Sequence, residues 1–198
     1  MVSSSTAVHE SVLDAMKASL TFALATIPVP RQILCWVVKG NNYVQRESVR
    51  AIPDLTIKLH HGRVGREIWL LECVFSRLDE SVMKMLEAYV RDIPDLLVVG
   101  KILIRETSQY HSPGANAAKD LQSSELMMQA KFTSSSNEEK GFAQIVVDKH
   151  TWFDLALVEL HVWVWQAGKS AIDLKCPKGD GYASGVCCYV LNMLIDGY

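Results

Sequence analysis

Pro53-Asp54-Leu55-Thr56-Ile57-Lys58-Leu59, followed after a polar link by Glu67-Ile68-Trp69-Leu70-Leu71-Glu72-Cys73-Val74-Phe75, decides how this chain is read. Leu55, Ile57 and Leu59 alternate with Asp54, Thr56 and Lys58, the period of a strand with one polar face. His60 to Arg66 carries two glycines among charges and imidazoles, and Glu67 to Phe75 is apolar and β-compatible. The pattern is that of a hairpin. Pairing its arms symmetrically about Arg63 sets Asp54 opposite Glu72, with Cβ atoms about 5 Å apart. A slip of one residue would send one carboxylate to the other face.

Two carboxylates at that spacing repel unless a cation or a proton lies between them. Mg²⁺ takes oxygen ligands and needs only one or two carboxylates beside water and substrate phosphate. The competing structural reading makes Asp54 a strand-start residue after proline and Glu72 a surface residue of an edge strand. Against it, Glu72 interrupts the apolar run WLLECVF, where a lone carboxylate is costly unless paired or ligated.

Outward from the hairpin the pattern is α-β-β-β-α-β. Residues 7 to 27 repeat Val8, Val12, Met16, Leu20, Ala23 and Ile27 at helical steps until Pro28 and Pro30. Ile33 to Val38 is a short strand before the Gly40-Asn41-Asn42 turn. After the hairpin, Ser76 and Asp79 read as N-cap and third residue of a helix whose Leu78, Val82, Met85, Leu86 and Tyr89 share a face. Leu96 to Ile104 (LLVVGKILI) reads as a strand buried on both faces. Residues 107 to 141 are polar and loop-like around a short helix at 123 to 130. They form an insertion that is either disordered or a lid. Beyond it, Ala143 to Val147 is a candidate strand, and Val158 to Trp165 alternates strictly. The expected architecture is a single α/β domain over 1–198: a core at about 7–106, the insertion at about 107–141, and a C-terminal strand and helix extension at about 142–198.

Composition narrows the function classes. The chain has 198 residues, 49% of them hydrophobic, enough for one buried core. Its 20 basic and 22 acidic residues nearly cancel, so any nucleic-acid contact must be a local patch. Five cysteines without C-x-x-C spacing point to reduced, intracellular thiols. The apolar segment at 18 to 27 follows Glu10 and Asp14 rather than a basic region, and Ala183 to Ile195 is too short and polar to span a bilayer. A soluble protein with no membrane partner is expected.

Other conspicuous residues have plainer readings. His60-His61 belong to a polar turn. Trp152, Trp163 and Trp165 suit core or subunit contacts better than base stacking, and Cys187-Cys188 suits packing.

Pro53-Asp54, the hairpin, Glu72-Cys73-Val74, the helix after it and the strand Leu96 to Ile104 together resemble the core of the PD-(D/E)XK nuclease superfamily. More narrowly, PDLTIKL followed by LLECVFSRLDESVMKMLEAYV is similar to restriction-endonuclease-like domains of bacteria and fungi, over roughly residues 7 to 106. The resemblance implies Mg²⁺ or Mn²⁺ held by Asp54 and Glu72, with the Cys73 carbonyl as a third ligand, for phosphodiester hydrolysis. The family places a lysine two residues after the second acid, to orient water and stabilise the transition state. Here that residue is Val74. Relatives that recruit a basic group from the next helix direct attention to Arg77 and Lys84. Lys58 is then placed to touch a substrate phosphate, and Glu10 of the first helix to complete the site. The alternative is a catalytically inactive nuclease-fold protein acting as an interaction or self-assembling, homo-oligomeric module.

Overall fold

The computed structural model describes residues 7–30, 33–46, 49–75, 78–107, 133–136, 143–147, 150–175 and 179–186. Helix α1 (Ala7–Thr26) is followed by β1 (Leu34–Gly40), a small pair β2 (Val44–Gln45) and β3 (Arg50–Ala51), and the hairpin β4 (Leu55–His61) and β5 (Val64–Phe75). Then come α2 (Asp79–Asp92), β6 (Val98–Glu106), β7 (Thr133–Ser136), β8 (Ala143–Val147), β9 (His150–Val164) and β10 (Tyr182–Val186). The chain is α/β. Among the described residues an eight-stranded sheet runs β1-β4-β5-β6-β9-β8-β7, with β10 also paired to β9. It is mixed: β5 and β6 are parallel, as the α2 crossover between them allows, and the other pairs are antiparallel.

The helices cover opposite faces. Val12 and Leu13 of α1 pack on Leu55, Ile57, Leu71, Ile102 and Ile104. Val82, Leu86 and Tyr89 of α2 pack on Leu70, Val99 and Trp163. Strand β6 buries residues toward both helices, which is why its sequence is nearly continuously apolar.

The hairpin reaches the expected register by an unexpected route. Its turn is Gly62-Arg63, with Gly62 at φ 58°, a conformation that glycine adopts without a Cβ clash. The pairing starts at His61↔Val64 and continues to Lys58↔Glu67, then shifts so that Ile57 faces Trp69 and Leu55 faces Leu71. Ile68 is therefore the extra residue of a β-bulge. The bulge brings Glu72, rather than Leu71, level with Asp54, so symmetry about Arg63 gives the right partners for the wrong reason.

Other expectations are corrected in detail. Helix α2 begins at Asp79 with Leu78 at the N-cap and no side-chain capping bond. The Asp79 carboxylate is taken instead by Lys101, a buried cation that needs a counter-charge. Trp165 lies beyond β9 and is exposed, whereas Trp163 is core. Ser76, Arg77, most of the 107–141 insertion and Cys187-Cys188 lie outside the described residues. Cys35 and Cys73 are thiols, not half-cystines. No described helix is long and apolar enough to cross a membrane.

Lys58 is committed to the hairpin itself. With Arg46 it grips the buried Glu67 carboxylate, Lys58 Nζ lying 2.9 Å from Oε1 and Arg46 bonding Oε2. Burial pushes the Glu67 carboxyl up, but Lys58, its own backbone N–H and Arg46 outweigh burial and hold it below the ordinary carboxylate value. The unfolded chain thus binds this proton more readily, and the stabilisation is present above the ordinary value and lost as pH falls through the folded one. Glu67→Gln is expected to cost about 2 kcal/mol near neutral pH. Urea unfolding at pH 7 and pH 3 checks it: the difference from wild type should shrink at the lower pH, and a difference independent of pH refutes the ion-pair account.

Candidate functional site

Asp54 precedes β4 directly, where the proline before it ends pairing. Extending the Leu55↔Leu71 register by one residue sets it level with Glu72. Its Oδ2 accepts the Cys73 N–H at 2.7 Å. His9 of α1 closes the arrangement from above, with Nε2 2.8 Å from the Cys73 carbonyl oxygen and 3.4 Å from Asp54 Oδ2. The hydrogen bond with Asp54 carries the His9 imidazole above its ordinary value, against the opposing effect of burial. Sequence reasoning missed His9. No spacing rule links it to a residue more than sixty positions away.

Glu72 is 4% exposed, on the face of β5 that α2 covers. Tyr89 of α2 donates its hydroxyl to Glu72 Oε1 at 2.6 Å. Burial first, and the Asp54 charge second, push the Glu72 carboxyl up to about 8, although the Tyr89 bond works against them. Tyr89 itself is driven well above the usual phenol value by burial and by the neighbouring Glu72. The sequence-level suspicion about a carboxylate inside WLLECVF thus has a structural counterpart: a carboxyl in an apolar setting beside another.

Strand register extends the pair into a row. Glu72 lies beside Lys101 on β6, Lys101 beside His161 on β9, and His161 beside Ser184 on β10. Asp54, Glu72, Lys101, His161 and Ser184 therefore follow one line across the sheet, about 4.8 Å per strand. Lys101 is 6% exposed, and its ammonium bonds Asp79 while standing 5.9 Å from the Trp163 ring centroid. Its signal was in the sequence: a single lysine inside LLVVGKILI is as anomalous as Glu72 inside WLLECVF.

The remaining residues singled out from sequence fall elsewhere. Lys84 is 72% exposed and pairs with Glu80 one turn away at 2.9 Å, so it serves the helix surface rather than the carboxylate pair. Lys58 is held by Glu67, as described. Val74, where the PD-(D/E)XK pattern would have its lysine, packs against the cluster beneath α2. Glu10 and Asp54 both line a cavity of about 190 Å³ between α1 and the Gly40-Asn41 turn.

No protein-family model, curated protein or solved structure matches this chain. Asp54, Glu72 and the Cys73 carbonyl offer only oxygen atoms, the ligand type that hard divalent cations take, and the carbonyl is already bonded to His9. As the side chains stand, no three His, Cys, Asp or Glu residues among those described are grouped to hold a metal ion. Cation binding would require Glu72, already within hydrogen-bond contact of Asp54, to give up its proton.

Proposed function

We propose that this chain is a metal-dependent, nuclease-like phosphodiesterase of the PD-(D/E)XK type. In this reading Asp54 and Glu72 hold Mg²⁺ or Mn²⁺, and the Cys73 carbonyl serves as a further ligand. The observation that carries the reading is Glu72, buried beside Asp54 with its carboxyl pushed up to about 8. A protein that keeps two acids together in an apolar setting gives up stability, which a divalent cation between them would restore. The order of α1, β1, the β4–β5 hairpin, α2 and β6 supports the same assignment. Bound there, the metal would polarise a phosphodiester and lower the pKa of the attacking water. Lys101, one strand away from Glu72, takes the part of the absent motif lysine and offsets charge on the phosphoryl oxygens.

Mn²⁺ titration by calorimetry tests the metal site. Saturable binding in the wild type is expected to weaken by roughly tenfold or more in both Asp54→Ala and Glu72→Ala. Equal affinity in all three proteins rejects the site. A second reading is favoured by His9 bonding the Cys73 carbonyl and Tyr89 bonding Glu72, contacts that satisfy the site without metal. In that reading the chain is an inactive interaction or self-assembling module. Cleavage of single- or double-stranded nucleic acid that Glu72→Gln abolishes rejects the second reading, whereas a stable oligomer with no cleavage in either metal rejects the first.

A further inference from the structure

The two terminal strands of the sheet differ in character. At one end β7 is four residues long, and all four, Thr133–Ser136, bear hydroxyls. At the other end stands β1, and among the described residues no strand pairs with its outer side. Its seven residues pair with β4 without a bulge, so that outer side is a straight row of backbone N–H and C=O groups about 24 Å long. Folded proteins blunt such an edge with proline, a bulge or a charge, or cover it. Between Leu34 and Val38, β1 carries no proline, bulge or charge, and its one charged residue, Lys39, stands near one end.

The flank of this edge is apolar as well. A cavity of about 190 Å³ lies between α1 and β1, lined by Thr21, Leu24 and Ala25 of the helix and by Leu34, Trp36 and Val38 of the strand. No residue of β4 lines it, so it lies toward the open side of β1. Phe22, one helical turn before Ala25, is 74% exposed, and Ile27 and Ile33 in the link from α1 to β1 are exposed too. Single exposed apolar side chains are ordinary. An exposed aromatic ring, an apolar cavity and an unpaired strand side by side mark an interaction surface.

We propose that this edge joins two copies of the chain: β1 pairs antiparallel with β1 of a second copy, about a two-fold axis normal to the sheet near Trp36. Antiparallel pairing is self-complementary, since one strand supplies both the donors and the acceptors that its copy needs. The axis keeps both α1 helices on one face and brings their last turns together. Phe22 of each protomer then meets the cavity beside the other's β1, and an apolar cavity of about 150 Å³ already admits benzene. Charge fits the same axis: each Lys39 lies opposite Ile33 of the other copy, which holds the two ammonium groups roughly 20 Å apart, beyond the screening length. A strand edge about 24 Å long with a helix stacked on it, about 20 Å deep, buries on the order of 500 Å² per protomer. The total of about 1,000 Å² is at the lower limit for a specific interface, so micromolar association is expected. The dimer goes beyond the metal reading and does not depend on it, because Phe22, the cavity and β1 from Leu34 to Val38 supply nothing to Asp54 or Glu72.

Sedimentation velocity of the full-length chain over roughly 1 to 200 µM tests self-association, and hydrogen exchange of β1 at both ends of that range tests where it occurs. A monomer–dimer equilibrium is expected, with β1 amides exchanging about fivefold more slowly in the concentrated sample. Phe22→Lys and Cys35→Lys, both at exposed positions, are expected to melt as the dilute wild type does and to weaken the dimer about tenfold or more. A monomer throughout the range overturns the proposal. So does a dimer whose β1 amides exchange equally fast dilute and concentrated, since its contact lies on another surface. Protection of β1 that is independent of concentration overturns it as well, because another part of the chain then covers the edge. Dimers of unchanged strength in both folded variants, or assemblies that grow past the dimer, overturn the two-fold pairing at Trp36. The exchange measurement on the wild type decides the matter even where a variant fails to fold.

Discussion

Glu72→Gln is expected to make the protein more stable than wild type at pH 8 to 9, by on the order of 3 kcal/mol, and to leave it nearly unchanged at pH 5. The carboxyl ionises near 4.5 in an unfolded chain and near 8 in the folded one. Between those values the native state retains a proton that the unfolded chain has released, so stability falls as pH rises across the window. Above it, the cost of ionising a buried carboxyl beside Asp54 is fully present. Glutamine keeps an oxygen that accepts the Tyr89 hydroxyl and removes the titration. Urea unfolding at pH 5, 7 and 9 in chelator measures the effect. The wild type should lose stability relative to the variant over this range, and parallel curves would contradict the placement of Glu72. Added Mn²⁺ should then recover stability at pH 8 in the wild type and not in the variant, because only the ionised pair gains a ligand.

Much of the scaffold around this pair was legible because its signals are local and periodic. The 7-to-27 helical repeat, the strands at 33–38 and 96–104 and the alternation of 158–165 correspond to α1, β1, β6 and the end of β9, although Ala23, Ile27 and Trp165 are exposed rather than buried. The opposition of Asp54 and Glu72 was legible for a weaker reason, since two errors cancelled: a two-residue turn at Gly62-Arg63 and a bulge at Ile68 together yield the register that a turn centred on Arg63 would have given. A bulge leaves little mark in one sequence, because Ile68 merely opens the apolar run that continues through Trp69, Leu70 and Leu71. Lys101 was readable and unread. Lys101 inside LLVVGKILI is as much a charge stranded in an apolar strand as Glu72 is, whereas the PD-(D/E)XK pattern points only to Val74 and to the helix after it. His9, Tyr182 and the pairing of β10 with β9 were not readable, because each depends on contacts between segments distant in the chain. Lys84 shows the converse failure: helical geometry gave it a plausible flank, and Glu80 one turn away offered a nearer partner.

Asp54 is the second position where removal and charge neutralisation should diverge. Its carboxylate is the acceptor for the Cys73 N–H and the nearest anion to His9 Nε2, so it ties the start of β4 to β5 and to α1. Asp54→Ala deletes that acceptor in a part-buried setting and loosens the hold on α1, for an expected cost of about 2 kcal/mol. Asp54→Asn retains an oxygen for the Cys73 N–H and removes the charge that is the second-largest cause of the raised Glu72 value. The Glu72 midpoint should therefore move down toward the ordinary carboxylate range, and the fall of stability with pH should lessen. Near pH 5 Asp54→Asn is expected within about 1 kcal/mol of wild type, and above pH 8 it should be the more stable of the two. Amide exchange along α1 separates the cases, since faster exchange is expected in Asp54→Ala than in Asp54→Asn. If the two variants are equally damaged at every pH, the Asp54–Glu72 repulsion is not a real term in the stability of this fold. The decisive arm is the double variant: with glutamine at position 72, the advantage of Asp54→Asn at high pH should vanish, because the charge it relieves is no longer there.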